Sequence, residues 1–361
     1  MSFIYSESSA KNDSKIGNFE KPIKMLIEAE SDLNRKKDGP LTSLFNIEKS
    51  NRFAETIQFS DGFSAFEYAP EGGAAAQDGI MDTRYRVFEH IPFMKEFVIT
   101  KQMLDDSIRG IGASAKRRVQ AFVRAYYLTM NKIAEQAIAN GKNSSMIFNK
   151  ASVDLMTGDG LPLFSTQHDY GAFGKECRGI QSNYFGVNRN DGENRKLTIT
   201  DVENIIHKAS AALRNLKDDN GEPLGYVADT VIIPGNMPML EKYVKQVLGS
   251  PYDPTPTTSG INVNYGRWKL VVLPGWQYDI AENEAEQTYP IIVMSSEANR
   301  NLCGNMFFNR IPLSIKSFED AHTRNWIWNG YCRFGIGFGT YKHAVLVECY
   351  SSQTNGDQTQ L

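Results

Sequence analysis

The clearest pattern along the chain is a helical stripe. Val119, Phe122, Val123, Tyr126, Tyr127, Met130, Ile133, Ala134, Ala137 and Ile138 recur at steps of three and four. That is the spacing of one face of an α-helix. Asn140-Gly141 supplies a C-terminal stop. The spacing predicts a helix from Ala115 to Asn140, 26 residues, or about 39 Å at about 1.5 Å per residue. Phe122, Tyr126, Met130 and Ile133 belong to its core face. A second long feature has period two. Trp326, Trp328, Cys332, Phe334, Ile336 and Phe338 share one face of a strand. Gly335, Gly337 and Gly339 leave the opposite face bare near its end, which permits a close backbone approach or a strong bend. Ala344-Val345-Leu346-Val347 is expected to pair with this strand across a short link.

Elsewhere the pattern is shorter. Met25, Leu26, Ile27 and Leu33 form an amphipathic stretch ended by Asp38-Gly39-Pro40. It has too little apolar surface for a core of its own and is expected to dock on another element or another copy. Thr56–Phe59, Phe63–Tyr68, Arg84–Phe88 and Phe97–Thr100 read as strands of a long two-stranded excursion. Pro70 to Gly79 is its glycine-rich tip. Such a hairpin is marginal alone in water and must lie against a surface. Residues 142–196 are rich in loops. Thr200-Asp201-Val202-Glu203 reads as a capping box, opening a helix that turns Val202, Ile205, Ile206, Ala209, Leu213 and Leu216 inward. A strand, Thr230–Ile233, precedes a second helix capped by Asn236. The strands Lys269–Leu273 and Ile291–Met294 follow. Strands interleaved with helices over 197–300 predict an α/β module.

Composition narrows the class. The chain has 361 residues, is 41% hydrophobic and 22% charged, and carries 39 basic against 42 acidic residues, a net charge of −3. That is too apolar for a disordered chain and too neutral for a protein built around a basic grip on nucleic acid. No run approaches the roughly 20 apolar residues of a membrane helix. The opening residues lack a signal-peptide pattern, so a cytoplasm-like compartment is expected. Cys177, Cys303, Cys332 and Cys349 form no Cys-x-x-Cys pair, and are expected to be ordinary thiols rather than disulfides or zinc ligands.

A search for chemistry finds little. None of His90, His168, His207, His322 and His343 sits in a His-Glu-x-x-His motif. Ser165 and His168 are close in sequence, but no Gly-x-Ser-x-Gly elbow surrounds them. Gly335-Ile336-Gly337-Phe338-Gly339 is not a dinucleotide fingerprint, because a strand continues through it. Asp218-Asp219-Asn220-Gly221 reads as a turn rather than a calcium loop. Asp105-Asp106 is expected at a helix start, where acids suit the dipole. Lys116-Arg117-Arg118 reads as a solvated helix face.

The order of these features resembles that of the major capsid proteins of tailed bacteriophages, which have the Hong Kong 97-like fold. Four segments carry the resemblance. Gly158-Asp159-Gly160-Leu161-Pro162-Leu163-Phe164-Ser165-Thr166-Gln167-His168 is similar to an Asp-Gly…Leu-Phe…His loop of one branch of that family. Leu224-Gly225-Tyr226-Val227-Ala228-Asp229-Thr230-Val231-Ile232-Ile233-Pro234 resembles the strand entering the axial domain. Val271-Val272-Leu273-Pro274-Gly275 resembles a later strand of that domain. Arg333-Phe334-Gly335-Ile336-Gly337-Phe338 resembles the last long strand.

The resemblance implies an α+β fold in six parts. They are an N-terminal arm (1–55), an extended loop that overlaps a neighbouring subunit (56–102), and a peripheral domain with a spine helix (103–196). An axial domain (197–310), peripheral return strands (311–350) and a tail (351–361) complete it. Glu71, Gly72, Gly73, Gln77, Asp78 and Gly79 would make contacts between subunits at the loop tip. The implied function is structural and not enzymatic: hexamers and pentamers of the chain forming an icosahedral head around double-stranded DNA, with no cofactor and no membrane. About 50 residues precede the loop, so scaffolding would come from a separate protein. A portal and a decoration protein are further implied partners. The implied location is the virion, after assembly in the cytoplasm of a bacterial host. The alternatives are an encapsulin-like compartment and, in another class, a hydrolase using Ser165 and His168.

Overall fold

The long apolar stripe lies at the centre of the molecule. In this computed structural model the described residues are 4–6, 14–35, 39–59, 66, 68–72, 74, 84–105, 113–170, 179–188, 196–252, 260–282, 286–350 and 359–360. The chain begins with β1 (Ile4–Ser6), α1 (Ser14–Arg35), α2 (Pro40–Leu44) and β2 (Asn46–Lys49). Next come β3 (Ala54–Phe59), β4 (Arg84–Glu89), β5 (Ile91–Ile99), α3 (Lys101–Asp105) and the spine helix α4 (Ala113–Ala139). Short strands follow: β6 (Ser145–Phe148), β7 (Ala151–Asp154), β8 (His168–Tyr170), β9 (Gly179–Gln181) and β10 (Tyr184–Asn188). Then come α5 (Ile199–Arg214), β11 (Thr230–Pro234), α6 (Pro238–Gly249), β12 (Lys269–Leu273), β13 (Tyr289–Met294) and α7 (Ser296–Asn301). The chain closes with β14 (Asn305–Glu319), β15 (Trp326–Phe338), β16 (Ala344–Tyr350) and β17 (Thr359–Gln360).

Two sheets organise these elements. One runs β1-β14-β15-β5, with β2 also on β14; the other runs β12-β11-β13-β16-β10-β17. The second sheet is a wall between two cores. Ile232, Val271, Leu273, Ile292, Met294, Ala344 and Leu346 face the core that holds α4 and the first sheet. Val231, Ile233, Ile291, Val293, Val345 and Val347 face the core that holds α5 and α6. Strands covered on both sides read as unbroken apolar runs, as Thr-Val-Ile-Ile-Pro and Ala-Val-Leu-Val do here.

This wall corrects the expected pairing of Ala344–Val347. The strand leaves β15 and pairs antiparallel with β13 and parallel with β10. Its side chains are apolar on both faces, so it needs cover on both. The neighbour of β15 is instead β14, whose 15 residues run antiparallel to it.

The N-terminal helix is also placed. α1 docks on α4 of its own chain. Ile23 and Ile27 are fully buried in the same core as Val119 and Val123, and each contributes about 1.5–3 kcal/mol by leaving water. Glu30 is buried beside them and accepts from Arg124 Nε at 2.6 Å. Met25 and Leu33 point to solvent.

Two caps differ from expectation. Thr198, not Thr200, caps α5, and its side chain accepts from Asp201 N at 3.3 Å. Leu197 before it and Val202 after it are buried in one core, the arrangement of a hydrophobic staple. Asn236 does not cap α6. Its amide donates to Tyr278 O at 2.6 Å and its Oδ1 accepts from Tyr278 N at 3.2 Å. Asp105 closes α3 rather than opening a helix, and Asp106 lies outside the described residues.

Candidate assembly site at the hairpin and its glycine track

β3 and β4 pair antiparallel from Ala54↔Glu89 to Phe59↔Arg84. The alternation gives the pair two faces. Ile57, Phe59, Arg84, Arg86 and Phe88 lie on one; Thr56, Gln58, Tyr85 and Val87 lie on the other. Tyr85 is 69% exposed and Val87 41%. The excursion is shorter than 56–102. Ile91–Ile99 pairs with β15 across nine registered residues and belongs to the first sheet. Its residues Phe93 and Phe97 stack on Phe334 and Trp328, which holds it there.

The bare face of β15 receives the hairpin. A Cβ on Gly335 would lie 2.7 Å from the Glu89 carbonyl oxygen. One on Gly337 would lie 3.1 Å from the Phe88 ring, and one on Gly339 2.2 Å from the Cys303 carbonyl oxygen and 2.7 Å from the Phe59 ring. Phe59 also abuts Gly158, where a Cβ would approach to 2.9 Å. Glycine at these positions is thus required by close approach. Side chains there would hold β3 and β4 away from the sheet.

Two ion pairs tie the same strand to the body. Arg84 Nη2 meets Asp169 Oδ1 at 2.9 Å, and Arg86 Nη1 meets Asp154 Oδ2 at 2.7 Å. Both aspartates are about half exposed, while the arginine side chains are only 11% and 12% exposed, so salt screens these pairs less than a surface pair. Between β4, β7 and the 156–160 turn lies an open cleft of about 830 Å³.

A buried polar cluster sits where β4 turns into β5. His90 Nε2 is 2.8 Å from Ser50 Oγ, which donates to Glu55 Oε1 at 2.6 Å. Arg333 Nε donates to His90 O at 3.1 Å. Burial, together with Arg310 and Arg333, pushes the His90 imidazole below its usual range, against a smaller opposing pull from Glu55. The cluster therefore favours a neutral ring.

The Ser165–His168 pair is not assembled as a catalytic dyad. His168 is fully buried and stacked on Tyr341 at 3.7 Å between ring centres. Its Nδ1 is 2.6 Å from Asp159 Oδ2 and its Nε2 3.3 Å from Leu163 O. Ser165 Oγ instead accepts from Gln167 N at 3.2 Å. Burial works to raise the Asp159 carboxyl. Bonds from His168, Thr157 and Leu161 N, with the His168 charge, outweigh it and hold the group below its usual range. Asp218 Oδ1 accepts from Asn220 N and Glu222 N, both at 2.8 Å, which is a side-chain-capped turn.

Of the residues expected at the loop tip, Glu71 and Gly72 are exposed in a turn, with Gly72 at φ +81°. Gly73, Gln77, Asp78 and Gly79 lie outside the described residues, as does Cys177. Phe122, Tyr126, Met130 and Ile133 are buried along α4. Cys332 and Cys349 are buried thiols and Cys303 is a half-buried one. Among the described residues no cluster of acids, histidines and cysteines could hold a metal ion, and no helix is long and apolar enough to cross a membrane. The sequence reading did not single out Phe59, Phe88, Arg84 or Arg86. The signal near them was the row of alternate glycines, which permits another segment to come close.

No protein-family model matches this sequence, and no curated protein does. Among solved structures, the capsid of the cyanophage P-SCSP1u is similar over 88% of this chain and 89% of its own, at 14% identity and TM-score 0.51. The chain has a phage-capsid fold. Two further matches are the capsid of Ralstonia phage GP4 and the procapsid of satellite phage P4. The first has 8% identity, 86% and 88% coverage and TM-score 0.48. The second has 13% identity, 92% coverage of both chains and TM-score 0.45. At such identities the phage-capsid fold fixes the course of the backbone. The roles of Phe59, Phe88, Arg84 and Arg86 rest on their own contacts.

Proposed function

We propose that this chain is the major capsid protein of a tailed bacteriophage, with the Hong Kong 97-like fold, building an icosahedral head around double-stranded DNA. The observation that carries the reading is the capsid fold spanning nearly nine-tenths of both chains. The exposed hairpin supports it. Tyr85 and Val87 on its outer face, and Phe66 and Tyr68 beyond it, are exposed apolar groups, and large exposed apolar surface marks an interaction site. A receiving surface exists on the outer face of the first sheet. Met94 is registered with Tyr331, and Val98 with Ile327, which is itself registered with Phe318; Met94 and Phe318 are exposed. The hairpin of one copy laid over this face of the next would cover both. Repeated over hexamers and pentamers, weak contacts become a stable shell by multivalency.

On this reading the protein is structural, with no catalytic role for Ser165. It works in the virion after assembly in a bacterial cytoplasm. Its partners are a portal, a separate scaffolding protein and a decoration protein. A net charge of −3 suits a wall that encloses DNA without gripping it, since each basic phosphate contact adds attraction.

Electron microscopy of the purified full chain, expressed with and without candidate scaffolding proteins, tests the reading. Shells with DNA-packaging competence are expected. Shells that enclose an enzyme instead of DNA would favour the encapsulin-like alternative, and monomers under all conditions would overturn both. Deleting Gly72–Gly79 is expected to abolish stable shells while leaving the folded chain intact by circular dichroism.

A further inference from the structure

We infer that the outer end of the β3–β4 hairpin, beyond the base that Phe88 anchors against Met306 and Phe308, is held on its own chain by two independent devices, an apolar lock at Phe59 and an ionic catch at Arg84 and Arg86, so that neither alone sets its position.

The two devices differ in kind. Phe59 fills a slot between Gly158 and Gly339, whose missing side chains leave room for its ring. The slot is stiff: Gly158 N donates to Gly339 O at 2.8 Å, and Gly339 N to Gly304 O at 2.7 Å. A slot walled by hydrogen-bonded backbone admits a ring at one depth and one angle. The catch is the pair of bonds from Arg84 and Arg86 to Asp154 and Asp169, half-exposed carboxylates whose neutralisation removes the ion pairs. The open cleft under β4 gives the strand room to move when both devices release. Phe88, buried with Met306 and Phe308, keeps the base of the hairpin in place during that motion.

The consequence for assembly rests on the shell reading above. A hairpin presented at one preset angle is ready for its neighbour, and preorganisation lowers the ordering cost of each contact. A hairpin held by a double catch can also be re-aimed by a neighbour that displaces one device while the other holds. The docking itself does not depend on shell formation, so it is measured on the unassembled full chain.

The experiment uses spin labels at Thr56→Cys on the hairpin and Lys208→Cys on α5, in a chain carrying Cys177→Ser and Cys303→Ser. Thr56 and Lys208 are both exposed. Distances are read by double electron–electron resonance at low salt and at about 1 M salt, where charges are screened beyond about 3 Å. The unaltered hairpin is expected to give one narrow distance in both conditions. So is the doubly neutralised Asp154→Asn/Asp169→Asn chain, held by the lock. Phe59→Ala combined with Asp154→Asn/Asp169→Asn is expected to broaden and shift the distribution in both conditions, and Phe59→Leu in the same background to restore it in part. A narrow distribution for the chain carrying Phe59→Ala with both neutralisations would overturn the lock. A broad one for the neutralised chain with Phe59 intact would overturn its independence from the catch. Shell formation by the same chains, seen by electron microscopy, bears on the proposed function and not on this result.

Discussion

Glu135 on the spine helix accepts a hydrogen bond from Gly275 N at 2.6 Å. The contact joins the helix to the turn after β12, so it ties the α4 core to the edge of the six-stranded wall. A Cβ on Gly275 would sit 2.2 Å from Glu135 Oε2. Burial raises the Glu135 carboxyl above its usual range, against smaller lowering effects of Gly275 N–H and Lys132.

The sign of that shift makes a prediction. A carboxyl raised in the folded state stabilises the fold below its ordinary range, and this contribution is lost as pH rises through the folded value. Glu135→Gln keeps an acceptor for Gly275 N without the charge. Its stability relative to the unaltered chain is expected to improve between pH 4.5 and 7, read from urea midpoints across that range. A constant difference would show that ionisation of Glu135 carries no cost.

His343 predicts an acid-side loss. It is fully buried, with Nε2 2.8 Å from Asn305 Oδ1, and burial pushes its imidazole down to about 4, against a smaller raising bond to Thr340. A depressed base stabilises the fold above its unfolded value of 6.5, and this is lost as pH falls toward the folded value. The window is therefore pH 6.5 to 4. The loss approaches roughly 3 kcal/mol from this residue, at about 1.4 kcal/mol per pH unit. His343→Gln is expected to flatten that limb of the stability–pH curve measured by denaturant titration.

The glycine track predicts an order of costs. Gly335→Ala drives a Cβ to 2.7 Å from a backbone carbonyl, while Gly337→Ala meets a phenyl edge at 3.1 Å. Backbone cannot give way as a ring can. Gly335→Ala is expected to cost about 1–3 kcal/mol and Gly337→Ala less, by chemical denaturation. The reverse order would mean that β4 shifts freely over the sheet.

Ser165 and His168 separate a structural from a catalytic role. His168→Ala removes a buried ring stacked on Tyr341 and a bond to Asp159, and is expected to cost about 2–4 kcal/mol. Ser165→Ala is expected to stay within about 1 kcal/mol of the unaltered chain. It should leave any ester hydrolysis by the purified protein unchanged. A loss of such activity in folded Ser165→Ala would reinstate the hydrolase reading.

Much of the local structure was legible in the sequence because it depends on period alone. The stripe from Val119 to Ile138 specified a helix whose ends, Ala113 and Ala139, lie within two residues of those expected. Alternation from Trp326 to Phe338 specified a 13-residue strand with the same ends. The row of glycines permitted a close approach or a strong bend, and the structure brings the hairpin there.

What the pattern could not supply was the identity of the partner. Ala344–Val347 is apolar on both faces and would suit the interior of either sheet. Only the placement of two cores, one on each side, decides that it lies beside β13 and β10. Leu197 and Val202 select Thr198 over Thr200 as a cap because both are drawn into the α5 core. Ile23 and Ile27 find α4 some 90 residues away, as does Glu30 with Arg124. Sequence by itself determined the long helix, the β15 strand and which of their faces are apolar, because neighbouring residues set those; the 15-residue β14 beside β15 was not read from it. Tertiary structure alone decided what each apolar face covers, which ring fills the glycine slot and which buried groups lose their charge, because those depend on atoms brought together from distant parts of the chain.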